Sequence, residues 1–228
     1  MLELLRRDLG DCAAVVIVSD RDDGDVRPDR VPDELLVARQ MAMTSSRWVM
    51  LDEVHGVDVH RCDGRIPSSA IAAVGDVLVG DRFAPPVAVW AADCAPVMLF
   101  DERGVPVACH AGWRGLAAGV IDVGVGAVPS PVVAVLGPCI HPCCYEFGER
   151  ELALVAAGVG VPVETIAGTT SVNTLALDVP AAVTAALHLH GIEVVAIDAC
   201  TGCDERWYSH RRGDSARHAL VGWSEEPS

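Results

Sequence analysis

Short apolar runs rich in Val, each bounded by turn residues, recur along the chain at residues 13–18, 87–91, 97–100, 105–109, 132–136 and 194–197. Runs of this length and β-branched content predict strands. Helical spacing appears between them, at 32–43 with Pro near its start, at 115–125, at 149–158, and at 179–189 after Asp178 as an N-cap. The order is mixed rather than strictly alternating, so the pattern predicts an α+β layered domain and not a doubly wound nucleotide-binding sheet. The glycines of AAGVGVP follow no dinucleotide fingerprint. A length of 228 residues suits one sizeable core, read as a single domain over 1–228.

Composition narrows the partners. A net charge of -15 disfavours a nucleic-acid backbone, which needs a cationic surface to displace counterions. All 17 basic residues are Arg, which removes a Walker-type phosphate loop, a Schiff-base lysine and a pyridoxal anchor. Any anion site must therefore use guanidinium groups or backbone amides. The N-terminal MLELLRRDLGD carries charges where a secretory signal places its apolar run, and prolines at 129, 131, 138 and 142 break the longest uncharged stretch, 123–145. A cytoplasmic protein with no membrane span is expected, and its nine cysteines are read as thiols or ligands rather than a disulfide framework. The acidic stretch 19–30 reads as a solvated surface loop, because Asp20, Asp22, Asp23 and Asp25 lack the closing Glu of a calcium loop.

His and Cys are the side chains zinc prefers, and a catalytic zinc takes three protein ligands so that a fourth position stays open. His55 lies in DEVHG after an apolar run, with Gly56 placed to turn the backbone. Cys94 follows the strand VAVWA directly, and His110 ends the strand VPVAC ahead of AGWRG. Strand ends hold ligands on a rigid sheet while loops leave access. Taken singly, each residue is more often a core or surface side chain than a ligand. Cys200 and Cys203 form a tighter pair, CTGC, but a structural metal site needs a second pair, and Cys139, Cys143 and Cys144 offer no C-x-x-C. That pair is read as incidental.

The segments DEVHG, AADCAPVMLFD, ACHAGWRGLAAGV, LGPCIHPCCYEFG and WYSHRRGDSAR, in that order, resemble the YfiH family of laccase-domain, polyphenol-oxidase-like proteins. The resemblance runs from about Val15 to Arg217, and HAGWRG with the upstream DC is its most specific part. It implies a YfiH/CNF-like fold of mixed β-sheets flanked by helices. It also implies a zinc enzyme of purine nucleoside phosphorolysis, acting on adenosine, inosine, guanosine or methylthioadenosine, with adenosine deaminase activity. The three family ligands fall on His55, Cys94 and His110. Members have further been linked to peptidoglycan editing and, under an older name, to copper-dependent phenol oxidation. Departures stand at Glu53 in place of the usual Gln, Ala91 in place of Thr and Ala216 in place of Gly, and none alters a ligand.

Phosphorolysis needs an anion site, for which Arg114 and Arg211 are the candidates, since a guanidinium binds phosphate bidentately. Asp93, a further candidate catalytic residue, is read as a partner orienting the Cys94 ligand or as a proton acceptor, the former role first. Two other classes stay open: a metal-free cysteine hydrolase with Cys94 as nucleophile and His110 as base, and a binding protein for cell-wall precursors. Copper is less expected than zinc, since multicopper oxidation needs more His ligands than eight can arrange.

Overall fold

The computed structural model describes residues 1–65, 69 and 71–226. In chain order its elements are β1 (Leu2–Asp8), β2 (Ala13–Val18), α1 (Asp33–Thr44), β3 (Met50–Asp52), β4 (Val59–Arg61), β5 (Ile71–Val74), β6 (Val77–Val79), β7 (Val87–Ala91), β8 (Ala95–Asp101) and β9 (Pro106–Ala111). They continue with α2 (Trp113–Ala117), α3 (Val120–Gly126), β10 (Pro131–Leu136), α4 (Glu149–Val159), α5 (Val163–Ile166), β11 (Ala167–Thr169), β12 (Leu175–Leu177), α6 (Val179–Leu189), β13 (Glu193–Ala196) and β14 (His218–Glu225).

Two sheets carry the architecture. One is four-stranded and antiparallel, in the order β1-β2-β14-β7; the other is six-stranded and mixed, in the order β13-β10-β8-β9-β6-β4, with its parallel pairs at the two edges. Alternation along β8 shows how they stack. Met98 and Phe100 point toward Val16, Val89 and Leu220 of the four-stranded sheet, whereas Val97 and Leu99 point toward α2, α3, α4 and α6. The outer face of the four-stranded sheet, with Ile17, Ala88 and Val221, packs on Leu36 of α1 and on Trp48. The result is a layered α+β fold in which the inner strands are buried on both faces, which explains their unbroken apolar runs.

The expected strands and helices are present, with differences. Residues 115–125 form two short helices, because Gly119 takes φ 81° and ends the first. β1, β14 and the short strands β4, β5, β6, β11 and β12 were not expected. β1 is an edge strand that alternates Leu with charge, and β14 is a central strand whose apolar run is interrupted by Gly222, where a Cβ would lie 2.6 Å from Met98 Sδ of the facing sheet. Nor is the stretch 19–30 simply solvated: Asp20 is buried and paired with Arg206, and Asp25 accepts from the amides of Arg27 and Arg217. Among the described residues no helix is long and apolar enough to cross a membrane.

Candidate active site

Register brings the three expected ligands together. β8 and β9 pair with Ala95 opposite Ala111, and β9 and β6 pair with Cys109 opposite Val77, so the start of β8, the end of β9 and the start of β6 share one end of the sheet. Cys94 lies in the tight turn that carries the chain from β7 in one sheet to β8 in the other. His110 is the penultimate residue of β9, and His55 sits on the loop between β3 and β4. Cys94 Sγ is 3.7 Å from His55 Nε2, and the two imidazole rings lie edge to face with centroids 4.8 Å apart. The three donor atoms are within 4.8 Å of one another.

Two backbone conformations make this convergence possible. His55 has φ 62° and Asp93 φ 88°, in the left-handed region that costs a non-Gly residue about 1–3 kcal/mol and that clusters at functional sites. The turn expected at Gly56 is thus made by His55 itself. Gly112, beside His110, is confined for a different reason: a Cβ there would come 2.7 Å from His55 Cδ2 and 3.0 Å from Cys94 Sγ.

Asp76, immediately before β6, holds the arrangement from behind. Its carboxylate accepts from the amides of His55 at 2.8 Å and Gly56 at 2.6 Å, and from His110 Nδ1 at 2.8 Å. Its carbonyl accepts from the His110 amide at 2.8 Å. With Nδ1 engaged by Asp76, Nε2 is the ring nitrogen that faces Cys94 and His55 and that a metal would take once its proton is displaced. Nothing in the sequence distinguishes Asp76 from a surface aspartate. Glu53, noted only as a departure from the family, is also buried here: it accepts from the Trp90 amide at 2.9 Å and lies 3.8 Å from His110 Nε2.

The electrostatics follow from burial and mutual charge. Burial alone raises the Asp76 carboxyl, but hydrogen bonds from His110, Gly56 and His55 bring it below the usual carboxylate range. Burial pushes Glu53 up to about 8. Cys94 is opposed by burial, yet the charge of His110 and hydrogen bonds from His110 and His55 bring its thiol down to about 6, so the metal-free protein holds a thiolate at neutral pH. His110 is desolvated, and Glu53, Cys94 and Asp76 together hold its imidazole well above the ordinary value.

Asp93 is near Cys94 in sequence but its carboxylate turns elsewhere, to the Thr201 hydroxyl at 2.6 Å and the Arg211 amide at 2.7 Å. It therefore fixes the Arg211 loop against the turn that bears Cys94. Arg114 is exposed, lies over the Trp113 ring with Cζ 4.5 Å from its centroid, and makes no ion pair among the described residues. Arg211 is likewise exposed, whereas its neighbour Arg212 is engaged by Asp214 and by the carbonyls of Thr201, Asp204 and Trp207.

A cleft of about 480 Å³ opens over these groups. His55, Cys94, His110 and Glu53 line it together with Trp90, Trp113 and Tyr145 and with four arginines, of which Arg27 is paired with Asp29, Arg217 donates to the carbonyls of Asp214 and Ala216, and Arg114 and Arg211 make no ion pair among the described residues. Arg27 and Arg217 were not expected from the sequence, where nothing separates them from other arginines of polar loops. Elsewhere, the structure brings Cys200 and Cys203 against Cys143 and Cys144, supplying the second pair that the sequence spacing did not show.

The class of this layered domain, laccase-like, is given by its match to a family model. Residues 11–224 match the family described as multi-copper polyphenol oxidoreductase laccase, and the chain belongs to that family. It is 36% identical over 197 residues to a protein of Streptomyces coelicolor named purine nucleoside phosphorylase, covering 82% of this chain and 78% of that one. It is 30% identical to the purine nucleoside phosphorylase YlmD of Geobacillus stearothermophilus, covering 89% and 82%. The crystal structure of YlmD superposes with a TM-score of 0.78 at 22% identity, covering 98% of this chain and 100% of that one. A Neisseria meningitidis protein of the DUF152 family superposes with a TM-score of 0.78 at 22% identity, covering 98% and 99%.

Proposed function

We propose that this protein is a zinc-dependent purine nucleoside phosphorylase of the cytoplasm. One observation carries the reading: in a chain of net charge -15, four arginines line a single cleft together with the His55, Cys94 and His110 set and with Trp90, Trp113 and Tyr145. Guanidinium groups concentrated against that background suit a phosphate dianion, and Trp or Tyr faces suit a purine ring. The relatives named purine nucleoside phosphorylase support the nucleoside and phosphate part of this reading.

The donor set fits zinc, with two imidazoles and a low-pKa thiol converging and His110 oriented by Asp76 through its other ring nitrogen. Blue-copper centres use a similar set with an axial Met, and among the described residues no Met lines this cleft. Zinc, when bound, supplies a Lewis acid that polarises an oxygen ligand. The chain's own residues do the rest. Arg114 and Arg211 hold phosphate, Asp93 sets the position of Arg211, and the aromatic walls exclude water from the sugar. In the reaction a phosphate oxygen forms a bond to the anomeric carbon and the glycosidic C–N bond breaks. Its electron pair leaves with the purine, which takes up the proton that hydrogen phosphate gives up. The products are ribose 1-phosphate and free base.

The test is a nucleoside panel of adenosine, inosine, guanosine and methylthioadenosine with and without phosphate, reading base, ribose 1-phosphate and deamination. Phosphate-dependent base release with stoichiometric ribose 1-phosphate is expected; equal release in phosphate-free buffer makes the enzyme a hydrolase. Arg114→Lys is expected to lose at least about tenfold in kcat/KM for phosphate, because a point charge replaces a planar fork. A second reading is favoured by the low pKa of Cys94 beside His110, which is the pairing of a metal-free cysteine hydrolase.

A further inference from the structure

Four of the cysteines outside the cleft form a group of their own. Cys143 and Cys144 lie on a single 3₁₀ turn, Pro142–Cys144, and Cys200 and Cys203 lie on a tight turn in which the Cys203 amide donates to the Cys200 carbonyl at 3.1 Å. A β-bridge between Cys139 and Cys200 sets the two segments side by side. The sulfur atoms are separated by 3.8 Å between Cys143 and Cys144, 3.6 Å between Cys143 and Cys200, 3.5 Å between Cys143 and Cys203, and 3.3 Å between Cys144 and Cys203. All four fall within 4.8 Å of one another.

Those separations have a simple geometric meaning. Four sulfurs at about 2.3 Å from a tetrahedral zinc stand about 3.8 Å apart along each edge. Pairwise disulfides would instead require two sulfurs at about 2.05 Å and the other pair removed from them. The His141 amide donates to Cys200 Sγ at 3.4 Å, and the Arg212 guanidinium binds the carbonyls of Thr201 and Asp204 on either side of the turn. Gly202 is confined as well, since a Cβ there would lie 2.7 Å from Cys144 Cβ and 2.8 Å from Cys144 Sγ. The turn can approach Cys144 only because Gly202 has no side chain.

We propose that Cys143, Cys144, Cys200 and Cys203 form a second zinc site, closed and structural, distinct from the His55, Cys94 and His110 set. Four thiolates leave no open coordination position, so the site ties segments together rather than performing chemistry. What it ties is specific. Cys144 precedes Tyr145, which lines the cleft, and Cys200 precedes Thr201, whose hydroxyl holds Asp93 beside Cys94. The zinc thus joins the wall of the cleft to the loop that carries Arg211.

The experiment is metal analysis of protein purified without chelator, together with zinc X-ray absorption on a His55→Ala/His110→Ala variant. The expected result is about two zinc per chain in the wild type and about one in that variant, with an all-sulfur shell near 2.3 Å. Cys200→Ser/Cys203→Ser is expected to lose the complementary zinc, keep the other, and melt at lower temperature. If that variant does not fold, the absorption spectrum of the His-deleted protein decides alone. A nitrogen or oxygen shell there, zinc content unchanged by Cys200→Ser/Cys203→Ser, or mapping of the four cysteines as disulfides in freshly purified protein would each overturn the proposal.

Discussion

Asp76 does with one carboxylate what usually takes several residues: it satisfies two consecutive amides of the His55 turn and fixes the His110 ring through Nδ1. Asp76→Asn keeps the shape and the acceptor oxygen but removes the charge that favours the Nδ1–H tautomer. Zinc affinity at the His55, Cys94 and His110 site is expected to fall about 10- to 100-fold with the fold retained, measured by competition with a chelating dye. Unchanged affinity would mean that Asp76 serves the turn alone. Cys94 separates the two enzymatic readings. Without metal its thiol, at about 6, is a thiolate at neutral pH and labels readily; with zinc bound its charge is neutralised. Iodoacetamide mapping is expected to show slow labelling at Cys94 in the metal-loaded protein and at least tenfold faster labelling after chelation. Fast labelling that chelator does not change would favour the cysteine hydrolase.

At the scale of elements, the break between α2 and α3 shapes the packing beside the cleft. Because the first helix ends at Ala117, its terminal carbonyls meet α4 backbone to backbone, and a Cβ on Gly158 would lie 2.3 Å from Ala117 O and 2.6 Å from Leu116 O. Ala is the better helix former by about 1 kcal/mol, but a clash with backbone on both sides cannot be relieved by a rotamer. Gly158→Ala is therefore expected to destabilise by about 2 kcal/mol in urea unfolding. Gly126→Ala, where a Cβ meets nothing within 4 Å, is expected to be neutral or stabilising. The same helix pair shows what the sequence made legible. Apolar period and Val-rich runs revealed the inner strands and the long helices, because those residues are buried on a regular face. They did not reveal the break at Gly119, a choice of backbone dihedral, nor β1 and β14, whose strand character comes from pairing with β2 and β7. The site divides in the same way. His55, Cys94 and His110 were legible through their motifs, whereas Asp76, Glu53, Arg27 and Arg217 enter the cleft through register and loop packing, and the four-thiol cluster joins turns far apart in the chain.

For the whole molecule, acid stability is governed in part by a histidine outside the cleft. His218 begins β14 opposite Ala91, is fully buried, and lies against the rings of Trp207 and Tyr208, and among the described residues neither ring nitrogen makes a well-formed hydrogen bond. Burial outweighs the opposing pull of the Pro138 carbonyl and, with Arg217 and Arg21 beside the ring, pushes its pKa down to about 4, while in the unfolded chain it returns to the ordinary 6.5. Between these values the unfolded chain binds a proton that the folded one refuses, so protonation favours unfolding. The stability His218 contributes is complete above pH 6.5, falls as pH drops toward 4 and levels off below, a swing on the order of 3 kcal/mol with about 2 already lost at pH 5. His218→Phe keeps an aromatic ring in the slot and removes the titration. Its steric cost is the same at every pH, and the acid release of bound metal is common to both proteins, so the informative quantity is a difference of differences. Denaturant unfolding of both proteins at pH 7.5 and 5.0 is expected to show a smaller acid loss in the variant, by about 2 kcal/mol. Equal losses would mean that His218 finds a partner for its proton inside the fold, and that carboxylates such as Asp20 and Asp214, held below their usual range by Arg206 and Arg21 despite burial, set the acid limit instead.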